Sequence, residues 1–326
     1  MVPSEATHLL TILLVAGTAG ADEARAREPQ VIVEALKSPD AAVRRRAQED
    51  AAEVGARMVR PLCGLLAGDD PMHIRTAEGA LFAVVADASR PGARQRRTAV
   101  VRALCRQLEG SDSPRVRAYV ARLLGIVGGG EAAVAALKAA LRDDAAAEPA
   151  RRALVRIPGE GATRALLKAL YEARPQERPP LILALGERGD PQAVKALTRF
   201  ARRGREDVRI AALRALAQTG RHGAADAVSA AARRGPEDVR SAAVNALLAL
   251  ADAQRERRTK VARRLYWRAF ANGVTSAQKC AALSGLTEVG HPKLAATLAD
   301  ALKDDKLSGT ASRLLEKVRR PDVQRK

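Results

Sequence analysis

The chain has 326 residues, 47% hydrophobic but only 2% aromatic, with a formal net charge of +19. So few rings exclude a globule built around large aromatic side chains, each of which buries roughly 150–250 Å². Leu, Val and Ala must fill the core instead, and their abundance beside Arg and Glu, with few β-branched residues, favours helix throughout. The charge supports solubility and an anionic partner without choosing one. It is mostly Arg, in a chain rich in Ala and Gly, a mix that a GC-rich genome also encodes, so it is discounted as a functional sign.

In chain order, the first segment is an apolar run from His8 to Gly17 (HLLTILLVAG), followed by TAGAD. About ten apolar residues are too few to span a bilayer as a helix but suit a signal-peptide core, and Ala19 and Ala21 supply the small residues of a cleavage site. The stretch before it, MVPSEAT, has no Lys or Arg, which leaves a frayed cap helix as the other reading. The expectation is a leader at residues 1–21, a chain exported to the periplasm or cell envelope from Asp22 onward, and no membrane span in the mature protein. Without cleavage the chain stays cytoplasmic.

From residue 28 to 320 one pattern recurs. It reads PDAAVRRRAQEDAAEVG at 39–55, DSPRVRAYVARLLGIVG at 112–128, EDVRIAALRALAQTG at 206–220, EDVRSAAVNALLALA at 237–251 and SAQKCAALSGLTEVG at 276–290. Each starts with an acid, Ser or Pro; Asp or Ser before a helix caps its free N–H groups, and an acid there also suits the helix dipole. Val208, Ala212, Ala215 and Leu216 show the 3–4 residue spacing of a buried stripe. Gly128, Gly220 and Gly290 supply helix stops. A second amphipathic helix lies between successive copies, as in 132–141, 162–170 and 294–302. One such hairpin cannot bury its stripe alone, so neighbours must stack.

This pattern resembles HEAT repeats, in particular the short bacterial type seen in phycobilisome-lyase relatives. The resemblance implies an all-α solenoid of about nine helix pairs, and says little about function. It further implies that the arginines of the Val-Arg pairs, Arg44, Arg117, Arg209 and Arg240, form a structural ladder with acids of neighbouring repeats, Asp40, Asp207 and Asp238 being placed to serve. Arg75 follows Ile74 in the same role. Two copies depart from the pattern: 148–159 and 177–189 lack Val-Arg, and Pro149, Pro179 and Pro180 are expected at the starts of shortened helices. Extra residues around 87–97 and 252–260 are expected after second helices. Residues 321–326 read as a disordered basic tail.

Motifs that carry chemistry are scarce. None of His8, His73, His222 and His291 precedes Glu, and H-E-x-x-H and Cys-x-x-Cys are absent, so no metal site is expected. The HEAT-like deoxyhypusine hydroxylases hold di-iron through paired His-Glu motifs; that reading is rejected here. His222 and His291 are expected at repeat junctions as solvated or capping groups. Cys63 and Cys105 read as matching positions on adjacent first helices, about 8–10 Å apart, too far for a disulfide and so expected free and buried. Gly128, Gly129 and Gly130 precede a helix but lack the strand and the Gly-Lys-Ser of a phosphate loop.

One patch stands out. In RERRTKVARRLYWRAF, 255–270, Val261, Ala262, Leu265 and Ala269 form the expected buried stripe, leaving the sole Trp, Trp267, pointing away among Lys260, Arg263, Arg264 and Phe270. Such an aromatic among cations suits partner docking or base stacking; an internal stack of Trp267 with Arg263 is the alternative. Arg94, Arg96 and Arg97 form a second basic edge. The sequence therefore points to a non-enzymatic scaffold, without cofactor, binding an unknown protein or anionic polymer. Nucleic-acid binding is the second reading, on a fold resembling the alkylpurine DNA glycosylases, although scattered aromatics cannot line the cleft such enzymes need. A lyase role rests on fold analogy alone.

Overall fold

A computed structural model describes residues 28–319. The expected leader at 1–21, Arg320 and the tail at 321–326 lie outside the described residues. The described chain is all-α, an α-solenoid of eighteen α-helices with no strand among the described residues. It divides into two compact units at Ala162 and Thr163.

The first unit holds α1 (Pro29–Leu36), α2 (Ala41–Val54), α3 (Val59–Leu66), α4 (Pro71–Ala88), α5 (Arg94–Gly110), α6 (Pro114–Val127), α7 (Glu131–Ala140) and α8 (Ala147–Arg156). The division falls inside α9 (Glu160–Glu172). The second unit continues with α10 (Arg178–Arg188), α11 (Pro191–Arg202), α12 (Glu206–Gln218), α13 (Ala225–Arg233), α14 (Glu237–Gln254), α15 (Thr259–Asn272), α16 (Ser276–Val289), α17 (Leu294–Ala301) and α18 (Ser308–Arg319).

Short links make successive helices antiparallel, so alternate helices run parallel. Within the first unit α2, α4, α6 and α8 stack in one layer, and α1, α3, α5 and α7 in the other. The second unit repeats the arrangement, with α10, α12, α14, α16 and α18 in one layer and α11, α13 and α15 in the other. The even-numbered helices carry the Val-Arg pattern and its two degenerate copies.

Local chemistry explains the boundaries. Asp40 accepts from the Ala42 amide, Asp70 from those of Met72 and His73, Ser113 from Val116 and Asp190 from Gln192, so each caps a helix in the expected way. Gly128, Gly220 and Gly290 all take φ between 63° and 66°, a conformation costly for side chains with a Cβ, and end or follow their helices. Pro149, Pro179 and Pro180 sit in the first turns of α8 and α10, which have 10 and 11 residues against 14 in α2 and α6.

The even layer is packed closely by small residues. A Cβ on Gly186 of α10 would stand 2.5 Å from Ala215 Cα of α12, and one on Gly125 of α6 would stand 2.8 Å from Ala153 Cα of α8. Leucines fill the space between layers: Leu81, Leu104, Leu123, Leu137 and Leu154 are fully buried.

Two expectations need correction. The extra residues at 87–97 and 252–260 follow the Val-Arg helices α4 and α14, not their partners, and much of the added length continues the helices, α4 and α14 reaching 18 residues. Cys63 and Cys105 lie on α3 and α5, the partner layer, not on the Val-Arg helices. Both are free and buried.

Candidate partner-binding surfaces

α15 is amphipathic, and its buried face is wider than the 261–269 stripe suggests. Ala262, Leu265, Tyr266 and Ala269 are buried, while Val261 is half-buried. Tyr266 donates its hydroxyl to Asp252 Oδ1 at 2.5 Å and lies against Gly285, where a Cβ would come within 2.3 Å of the ring. Burial and the Asp252 carboxylate push the phenol far above its ordinary range.

Trp267 does not point away into solvent. It is half-buried and stacks on His291, with centroids 4.5 Å apart and planes 2° from parallel. Phe270 tilts against it at 6.2 Å and Lys293 Nζ lies 6.0 Å from its ring. Arg263 is not its cation partner: Nη2 donates to the Val289 carbonyl at 3.2 Å, and the buried Nε has no hydrogen-bond partner among the described residues. The turn after α16 therefore folds over the indole, a contact that a wheel of α15 alone cannot show. His291 stacks on the indole, and its Nδ1 accepts from the Lys293 amide at the start of α17, in keeping with the capping reading. Burial, then Arg263 and Lys293, hold it below its ordinary pKa. Of the five residues read together, Lys260 and Arg264 stay exposed, and Phe270 is half-buried.

The second basic edge is largely consumed by its own turn. Arg96 ion-pairs with Asp87, which also takes Arg90 at 3.1 Å. Arg97 donates to the carbonyls of Ala88 at 3.3 Å and Ser89 at 2.9 Å, closing the C-terminal end of α4. Cations there suit both the unpaired carbonyls and the dipole. Arg94 alone of the three is exposed without such a bond among the described residues.

The ladder is also built differently from the expected one. Arg44 Nη1 donates to the carbonyls of Ser38 and Pro39 at 2.8 and 2.7 Å, and Arg209 Nε to that of Ala201 at 3.3 Å. Among the described residues, Arg75 Nε reaches Pro71 O in its own helix, and Arg240 Nε is buried without a hydrogen-bond partner. Asp40 is spent on its helix cap. Asp207 accepts from Val208 N at 2.9 Å and Arg205 Nε at 3.4 Å, and Asp238 lies exposed in the first turn of α14. Aspartates in a first turn serve the dipole, and there they stand away from the guanidinium behind them.

Among the described residues Arg117 alone of the four reaches an acid, Asp143 Oδ2 at 2.6 Å in the turn before α8, while its Nη1 holds the carbonyls of Ser111 and Asp112 at 2.9 Å. Burial alone would raise the Asp143 carboxyl, but the Ala146 amide, Arg117 and the Ala145 amide outweigh it and hold the group below its ordinary value.

What the sequence reading missed is a face of the second unit. Lys195, Arg199 and Arg202 on α11, Arg233 on α13, and Lys260 and Arg264 on α15 are exposed, and none has a bonding partner among the described residues. These three helices stack in one layer and carry a single acid, Asp226, which Arg268 engages at 2.9 Å. The spacing Lys195, Arg199, Arg202 was legible as one helical stripe; that its helix shares a layer with α15 was not.

Among the described residues no group of three or more His, Cys, Asp and Glu is placed to hold a metal, and no helix is long and apolar enough to cross a membrane. Burial pushes the Cys63 thiol up to about 12, and burial followed by Glu109 pushes Cys105 up to about 11.

Residues 163–248 match the family described as HEAT repeats. Over those residues the chain matches HEAT repeats. The match spans α10 to α13 and most of α9 and α14, including two clean Val-Arg copies. No curated protein matches the chain. Among solved structures, human deoxyhypusine hydroxylase is similar at 16% identity and TM-score 0.32, over 81% of this chain and 97% of that one. Importin beta is similar at 15% and 0.38, over 89% and 54%. The CpcE–CpcF complex of phycocyanin lyase from Nostoc is similar at 20% and 0.32, over 89% and 94%.

Proposed function

We propose that this HEAT-repeat protein is a non-enzymatic binding scaffold that takes an acidic protein or another anionic polymer on its second unit, along α11, α13 and α15. The carrying observation is the set of six exposed cations without bonding partners on three stacked helices. Stacked helices are about 8–10 Å apart, so these side chains present a field across which an extended polyanion can make several contacts at once. Export after removal of residues 1–21 belongs to the same reading, and the intact mass of protein recovered from each cell fraction tests it.

The surface is tested by fluorescence anisotropy of labelled poly-glutamate against the full chain and a Lys195→Glu, Arg199→Glu, Arg264→Glu variant. Affinity should fall at least tenfold in the variant with the helical signal unchanged; equal affinity rejects the surface. Nucleic acid is the competing reading, favoured by the same cations and weakened by the loss of Trp267 to His291 as a free stacking platform. DNA binding that survives about 200 mM salt would favour it, because charge-only binding falls steeply over that range.

A further inference from the structure

The first unit carries a surface of another kind. Phe82 on α4 is 51% exposed and Ile126 on α6 is 45% exposed, two large apolar side chains left uncovered on adjacent helices. Both face outward from the Val-Arg layer. Their helices are parallel neighbours, and the Tyr119 hydroxyl of α6 donates to the Glu78 carbonyl of α4 at 2.8 Å, which fixes the register. Phe82 follows Glu78 by one turn and Arg122 follows Tyr119 by nearly one, so Phe82 and Arg122 come level. Ile126 is one turn further along α6.

Exposed cations without an acid partner among the described residues lie on the α6 and α8 side of this pair, whereas Arg45 and Arg46 on α2 are paired with Glu49 and Asp50. Arg122 lies over the Tyr119 ring at 5.5 Å and is exposed without an acid partner among the described residues. Gly125 abuts Ala153, which brings Ile126 within a turn of Arg156 on α8, also exposed and unpaired among the described residues. Aromatic, aliphatic and Arg side chains grouped in this way are the composition of binding hot spots.

We infer that the outward face of α4 and α6, centred on Phe82, Tyr119, Arg122 and Ile126, docks a polypeptide segment with apolar anchors one turn or so apart and acidic residues on the α8 side. The apolar side chains require anchors that a uniform polyanion lacks, and Arg122 and Arg156 require carboxylates. This rests on the reading of the chain as a binding scaffold, and it names a second surface with a more selective partner.

The test uses the full chain and a fluorescein-labelled 16-residue peptide with Leu at every fourth position and mostly Glu between. Its counterpart has Lys for Glu, and poly-glutamate serves as the control without anchors. The Glu peptide should bind at least tenfold more tightly than the Lys peptide. Phe82→Ala and Arg122→Gln should each weaken it about tenfold, with poly-glutamate binding and the helical signal unchanged. Hydrogen exchange should show peptide-dependent protection in α4 and α6. Peptide binding that ignores both substitutions, but falls in the Lys195, Arg199, Arg264 variant, overturns the inference and leaves the proposed function standing. Failure of both the peptide and poly-glutamate to bind overturns both.

Discussion

The indole of Trp267 lies flat on the imidazole of His291, 4.5 Å between centroids and 2° from parallel. One partner is the sole tryptophan, so its emission reports on the stack without competing signals. Burial, Arg263 and Lys293 favour the neutral imidazole in the folded state. A folded pKa below the ordinary value of about 6.5 means that the unfolded chain binds more protons in that range, so stability falls as pH drops below about 6.5 and recovers above it. Indole emission should titrate with a midpoint below about 6.5, and the thermal midpoint should drop more from pH 7.5 to 5.5 in the native protein than in His291→Gln. An identical acid response in the two proteins would rule the stack out as the cause.

Gly285 should tolerate nothing larger. A methyl group there meets the Tyr266 ring at 2.3 Å, and the ring is itself fixed by Asp252. Gly285→Ala is expected to cost about 1–3 kcal/mol in urea unfolding. Gly64 on α3 has nothing within 4 Å of its would-be Cβ, so Gly64→Ala should be neutral or stabilising by about 0.5–1 kcal/mol.

Arg117 ties three acceptors with one guanidinium. Arg117→Met removes the Asp143 pair and two carbonyl bonds from a half-buried site, and is expected to lower stability by about 1–3 kcal/mol. Because the Asp143 pKa is depressed on folding, its contribution is present above the ordinary carboxylate pKa of about 4 and fades as pH falls through the folded value. The gap between native protein and Arg117→Met should therefore narrow in acid; a constant gap from pH 7 to 3 would contradict the pairing.

The thiols should react unequally. Cys63 and Cys105 are buried, with pKa values pushed up to about 12 and 11, whereas Cys280 is half-buried. A disulfide reagent at pH 8 should modify Cys280 first and the other two only after unfolding, since the thiolate is the reacting form. Rapid modification of Cys63 in the native protein would be inconsistent with this burial.

The architecture was legible because it is repetitive: caps such as Ser113, stops such as Gly290 and the Val-Arg stripe each recur, and each works within one hairpin. The surfaces were not, because they are made between hairpins. Trp267 reads as exposed until the turn at His291 is laid over it, and Arg97 reads as free until the end of α4 reaches it. Phe82 and Ile126 carried no sequence signal at all, since an outward apolar residue on a helix looks the same as an inward one until the neighbouring helix fixes which side is covered. The expected Asp partners failed for a related reason: those carboxylates lie at helix starts, where backbone amides take Asp40 and Asp207.

The guanidiniums at Arg97 and Arg117 spread two or three acceptors each over two nitrogens, a task for a planar fork with several fixed donors. An ammonium is a point charge and cannot span that set. Lysine should therefore substitute freely at Arg199 or Arg264, where only charge meets solvent, and poorly at Arg97 and Arg117. The same amino-acid exchange, invisible to net charge, separates the arginines that build this fold from those that face outward.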